Sequence, residues 1–115
     1  MPMVHEFGIL DQVDPQKIYQ DYEPQNYDCI SVDDERIESL IEPLLSMKTY
    51  FHSINRPERG LAYCGITIIP PESLPIFYDA VTSSESFTQC GQLHKLAAKI
   101  MQARNENKYM IHFGI

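Results

Sequence analysis

The sequence predicts a single α+β domain: a four-stranded antiparallel sheet with helices on one face, in the ferredoxin-like βαββαβ order. Three observations carry this reading. Residues 61–71, LAYCGITIIPP, form the longest apolar run, rich in β-branched side chains and ended by two prolines; that is the pattern of a strand in the middle of a sheet. Two later stretches place apolar residues at helical spacing. Three short segments, at 27–32, 49–54 and 108–113, read as further strands around them.

Residues 1–26 are the least regular part, with Pro2, Pro15 and Pro24 among many polar side chains. Asp14 and Pro15 can cap and open a short helix over 16–22. Phe7, Tyr19 and Tyr22 argue against disorder, so this segment is expected to pack as an N-terminal arm on a core of 27–115. At 27–32, YDCISV is the first strand. Ser31 precedes Asp34 by three residues, a capping-box spacing, and Asp33 is an equally good cap. Ile37, Leu40, Ile41, Leu44 and Leu45 then make one helical face, which Pro43 interrupts.

The strand at 49–54 (TYFHSI) and the run at 61–69 flank NRPERG, so the pair reads as a hairpin. Residues 71–81 form the next helix, with Leu74, Phe77, Tyr78 and Val81 on one side. Thr82-Ser83-Ser84-Glu85 matches a second capping box and opens a helix to about Arg104, with Gly91 inside it. The second helix of the plan is therefore split in two. KYMIHF at 108–113 is a last, edge strand. A short echo of HEFGI at 5–9 in HFGI at 112–115 is too brief to indicate a repeat.

The length of 115 residues allows one domain with a real core. No apolar run approaches the roughly 20 residues that cross a bilayer. The N-terminus lacks the basic and apolar regions of a secretory signal, so a cytoplasmic location is expected. Cys29, Cys64 and Cys90 are odd in number and widely spaced, which predicts reduced, mostly buried thiols. The net charge of −7 is uneven: residues 1–42 hold eleven acids against Lys17 and Arg36, a net of −9. Such a chain repels nucleic-acid backbones. Its acidity suits solubility or a basic protein partner.

Pairing Ile54 with Leu61 across the hairpin sets Tyr50, His52, Tyr63 and Thr67 on one sheet face. Phe51, Ala62, Cys64, Ile66 and Ile68 fall on the other, toward the helices. Tyr27, Cys29 and Ser31 join the first face; Ile30 and Val32 join the second. An open face this aromatic calls for a cover: the arm, a second copy in a homodimer, or a small-molecule ligand. The arm and the dimer suit the half-polar tyrosines better.

Among these residues His52 is the best general base and Tyr63 a proton donor, with Arg56 and Arg59 able to hold an anion. Nothing acidic is placed to orient His52. The partner-binding residues expected are thus Tyr50, His52, Arg56, Arg59, Tyr63 and Thr67. His5, His52, His94 and His112 lack metal-ligand spacing, and no cofactor motif is present, so no metal or cofactor is expected. The function expected is binding, by homodimerisation or to a protein partner, through the open face and the acidic first third. An inhibitor of a basic protein is one form of it. A small enzyme or ligand-binding domain built on His52, Tyr63 and the turn arginines is the competing class.

Overall fold

The computed structural model describes residues 3–20, 22–85 and 87–114. Among them the chain folds as one α+β domain. Its strands are β1 (Val4–Leu10), β2 (Ile30–Asp33), β3 (Lys48–Phe51), β4 (Pro57–Arg59), β5 (Ile66–Ile69) and β6 (Tyr109–Phe113). Its helices are α1 (Asp34–Ile41), α2 (Leu74–Thr82) and α3 (Gly91–Asn105). The strands form one antiparallel sheet in the order β2-β1-β6-β5-β3-β4.

This overturns the four-stranded ferredoxin-like plan. The first part of the expected arm is β1, an interior strand between β2 and β6. Its alternation is the reason: His5, Phe7 and Ile9 point to the helical layer, while Leu10 points to the opposite face. β6 is likewise interior, paired to both β1 and β5. The segment expected to be a helix after Asp14 is a turn, in which the Asp14 carboxylate accepts from the Gln16 N–H at 2.9 Å.

The long apolar run is half strand and half loop. Residues 60–65 bulge out, with Gly60 at φ +71° and Gly65 at φ +134°, backbone conformations that L side chains rarely adopt. The pairing is therefore Tyr50 to Ile68 and Phe51 to Thr67. That is three residues away from the expected register, and an odd shift exchanges the faces of one strand. Ile66 and Ile68 lie with Tyr50 on the face away from the helices, and Thr67 lies on the helical side. β2 keeps its expected orientation, with Val32 and Ile30 in the helical core.

α1 starts where the acids predict and stops before Pro43, which opens a short 3-10 turn, Pro43–Ser46. No side-chain cap bond forms: Ser31 donates to the Glu6 carboxylate instead. The last long helix starts at Gly91, not at the Thr82 capping box. Residues Phe87–Gln89 form a separate 3-10 turn, and Gly91 is the first helical position.

Two cores result. The helical side buries Phe7, Val32, Leu40, Ile69, Phe77, Leu93 and Ile100, among others. The other face buries Ile66, Ile68, Ile111 and Phe113 under the chain's own residues 13–29, with Tyr19 as the central plug. The remainder of the expected arm is thus the lid of the second core.

Candidate functional site

The most organised group of polar side chains lies inside the helical layer. Period-two alternation aims His5 of β1 and His112 of β6 into it. Both imidazoles are fully buried, and so is Thr67, which stands directly opposite His112 in the β5–β6 pairing. His5 Nδ1 lies 2.8 Å from His112 Nε2, with the rings nearly parallel at 11°. His112 Nδ1 is 3.2 Å from Thr67 Oγ1, and that oxygen accepts the Ala62 N–H at 2.8 Å. At the other end His5 Nε2 is 2.9 Å from Asp34 Oδ1. The second Asp34 oxygen accepts from the Tyr63 hydroxyl at 2.7 Å.

Asp34 is the first residue of α1, where a carboxylate is favoured by the exposed backbone N–H groups. Its own N–H donates to the Met3 carbonyl at 2.9 Å, which ties the helix start to the entry of β1. The Tyr63 bond, followed by the His5 bond, holds the Asp34 carboxyl below its usual range. The same bond, with desolvation and the Asp34 and Glu38 charges, pushes the Tyr63 phenol up to about 12. Burial, with His5 second, holds His112 well below its ordinary value.

With both imidazoles neutral, these bonds fix where the protons lie. Ionised Asp34 only accepts, so His5 Nε2 and Tyr63 donate to it. A neutral His5 must then accept at Nδ1, so His112 donates from Nε2 and accepts the Thr67 hydroxyl proton at Nδ1. Every donor in the relay Thr67–His112–His5–Asp34 points toward the carboxylate.

The order hydroxyl, imidazole, carboxylate is that of a nucleophile, its base and its orienting group. Burial separates this relay from that chemistry: Thr67 and both imidazoles meet no solvent, and Thr67 Oγ1 is already engaged by Ala62. Only the Asp34–Tyr63 end approaches the surface, with the Asp34 side chain 12% exposed.

The residues singled out in the sequence are dispersed. Tyr63 and Thr67 enter the relay from its two ends. His52 stands on the opposite side of β5 from Thr67, in a left-handed conformation at φ +67°. Its Nδ1 lies 2.9 Å from the Tyr19 carbonyl, and its own carbonyl accepts the Tyr19 N–H at 2.6 Å. It clips the lid to the sheet. Tyr50 packs under that lid. Arg59 reaches the Ser46 carbonyl at 3.2 Å, and Arg56 is exposed on the turn.

Sequence reasoning missed His5, Asp34 and His112 as a unit. Two signals were present: the alternation in VHEFGIL, and the HEFGI/HFGI echo, whose two copies are the neighbouring strands β1 and β6. Of the thiols, Cys90 is buried, Cys29 is half-buried and pushed up to about 12, chiefly by burial, and Cys64 is exposed. No group of three or more His, Cys, Asp or Glu suited to a metal occurs among the described residues, and no described helix is long and apolar enough to cross a membrane.

The surface carries several depressions, among them one of about 290 Å³ beside Tyr50 and Arg59 on β3 and β4. A cleft of about 690 Å³ runs between residues 11–28 and the end of α3. A smaller groove of about 350 Å³ lies between α1 and α2, lined by Ser39, Leu40, Pro43, Ala80, Ser83 and Ser84. Comparison with protein-family models, curated proteins and solved structures returned no match.

Proposed function

We propose that this protein works by binding a basic, amphipathic segment of a protein partner in the groove between α1 and α2. The observation that carries the reading is the pairing of an apolar floor with an acidic rim. Leu40, Pro43 and Ala80 line the groove. Ile76, 41% exposed, precedes Ala80 by four positions and extends the same helical stripe. Glu35 and Glu38 occupy one exposed face of α1, with Glu42 exposed just past its end, and Asp79 and Glu85 are exposed on the far side. An apolar side chain seated in the groove would leave lysines or arginines beside these acids.

This keeps the acidic first third as the recognition surface and moves it off the sheet. The sheet face carries the chain's own lid, which occupies the place a second copy would need. In the larger cleft the cations are already engaged: Lys108 with Asp11 and Glu106, Lys99 with Asp28, Lys17 with Glu23.

The test is an NMR titration of the labelled chain with a helical peptide carrying leucines on one face and lysines on the other. The amides of Leu40, Ala80 and Ser83 should shift together, and salt should weaken the complex. Glu38→Lys with Glu42→Lys should weaken it roughly tenfold, since each exposed pair is worth up to about 1 kcal/mol. Shifts scattered over the surface, or equal shifts with a scrambled peptide, would overturn the assignment.

A further inference from the structure

We propose that the Thr67–His112–His5–Asp34–Tyr63 relay is a proton-operated latch, which fastens the start of α1 and the 60–65 loop to the middle of the sheet and lets go on mild acidification. The argument is one of proton capacity. In the relay as built each imidazole carries one proton, on Nε2, and every donor has an acceptor. One further proton must enter at His112 Nδ1, the end that now accepts from Thr67. That bond then runs the other way, with His112 donating to Thr67 Oγ1.

Thr67 Oγ1 would then accept from both His112 and Ala62, and its own hydrogen would lose its acceptor inside a fully buried site. Passing the extra proton on to His5 reverses the His5–His112 bond as well and changes nothing at Thr67. A second proton cannot be held at all, because two N–H groups would face each other across the 2.8 Å between the rings. The folded pair therefore takes one proton at most, at a cost. The same two histidines in an opened chain take two, below about pH 6.5.

The sign follows from linkage. The open state binds more protons than the latched one, so the latch is at full strength above about pH 6.5 and weakens as pH falls. The closing equilibrium drops by up to about tenfold per pH unit for each excess proton. The depressed His112 acts in this direction.

The groups facing the pair are few. α1 contributes the Asp34 carboxylate, and Glu38 one turn on, whose charge is felt at Tyr63. The 60–65 loop contributes the Tyr63 phenol and, beyond it, the Cys64 thiol. β2 sets Val32 opposite His5, β5 supplies only the neutral Thr67, and Phe7 lies 4.8 Å from His112. Among the described residues Asp34 is thus the one anion in direct contact, and it holds His5 from the α1 side.

What opens is set by what the relay joins. Asp34 begins α1, and Tyr63 and Ala62 are anchored through Asp34 and Thr67. α3 makes no bond to the relay among the described hydrogen bonds.

The experiment is hydrogen exchange on the full chain between pH 7.5 and 5.5, corrected for intrinsic rates. Protection of the Asp34 and Ala62 amides, which donate to the Met3 carbonyl and to Thr67 Oγ1, should hold down to about pH 6.5 and fall about tenfold per pH unit below it, while α3 amides near Leu96 and Ile100 keep theirs. His112→Gln, which keeps a neutral donor and acceptor at this position, should flatten the dependence. If that variant does not fold, the side-chain nitrogen spectra of the unaltered protein decide alone: His5 and His112 should share a single proton uptake before opening. Two separate uptakes with protection at Asp34 and Ala62 unchanged would overturn the latch. So would an even loss of protection through α3.

Discussion

Thr67 is the point at which one hydroxyl serves two masters. Its oxygen takes the Ala62 N–H, and its proton goes to His112. Thr67→Val keeps the shape and removes both functions, leaving a buried N–H and a buried imidazole nitrogen unpaired. We expect a loss of about 1–3 kcal/mol in urea unfolding. Thr67→Ser keeps the hydroxyl and should recover the hydrogen-bonding part of that loss. His52, by contrast, sits among backbone atoms of the lid. Sequence alone ranked the two in the opposite order, because a histidine in a strand is visible as chemistry and a threonine is not. What separates them is register, which depends on the loop at 60–65.

At the scale of elements, strands and helices were legible where periodicity was unbroken. α1, α2 and the 108–113 strand sit close to their expected places, whereas only the second half of the expected 27–32 strand is strand: Tyr27 ends a 3-10 turn, Asp28 is left-handed and β2 begins at Ile30. The misreadings have specific causes. An apolar run was taken as continuous strand although Leu61 and Ala62 are buried in a loop. VHEFGIL was grouped with the prolines that follow it, which hid an interior strand. The Thr82 capping box was matched by spacing, but the long helix begins at Gly91. Gly91 lies at an exposed first helical position, and a Cβ there would meet nothing within 4 Å. Gly91→Ala should therefore stabilise the chain by about 0.4–1 kcal/mol by restricting the unfolded state. A rise in melting temperature checks it.

For the whole molecule the main lesson is that the second sheet face is closed from within. Tyr19 is 4% exposed, and its hydroxyl accepts the Asp14 N–H at 3.1 Å. Tyr19→Ala should cost about 3 kcal/mol, in the range of large aromatic truncations. It should also uncover Ile66, Ile68, Ile111 and Phe113. Light scattering behind size exclusion should then show more self-association than the unaltered chain under the same conditions. The need for a cover was readable from aromatic content; the residues beneath it were not, because they depend on a pairing that no local pattern encodes.

The meeting of β1 with β6 also bears on how the chain is made. His5 and His112 stand 107 positions apart, yet their strands are neighbours in the middle of the sheet. During synthesis β1 has only β2 to lean on, and its other edge stays unpaired until β6 has emerged. Closing so long a loop comes late and slowly. From the emergence of β1 until that of β6 the seam of the sheet stays open, which makes that edge the natural place for a chaperone to hold.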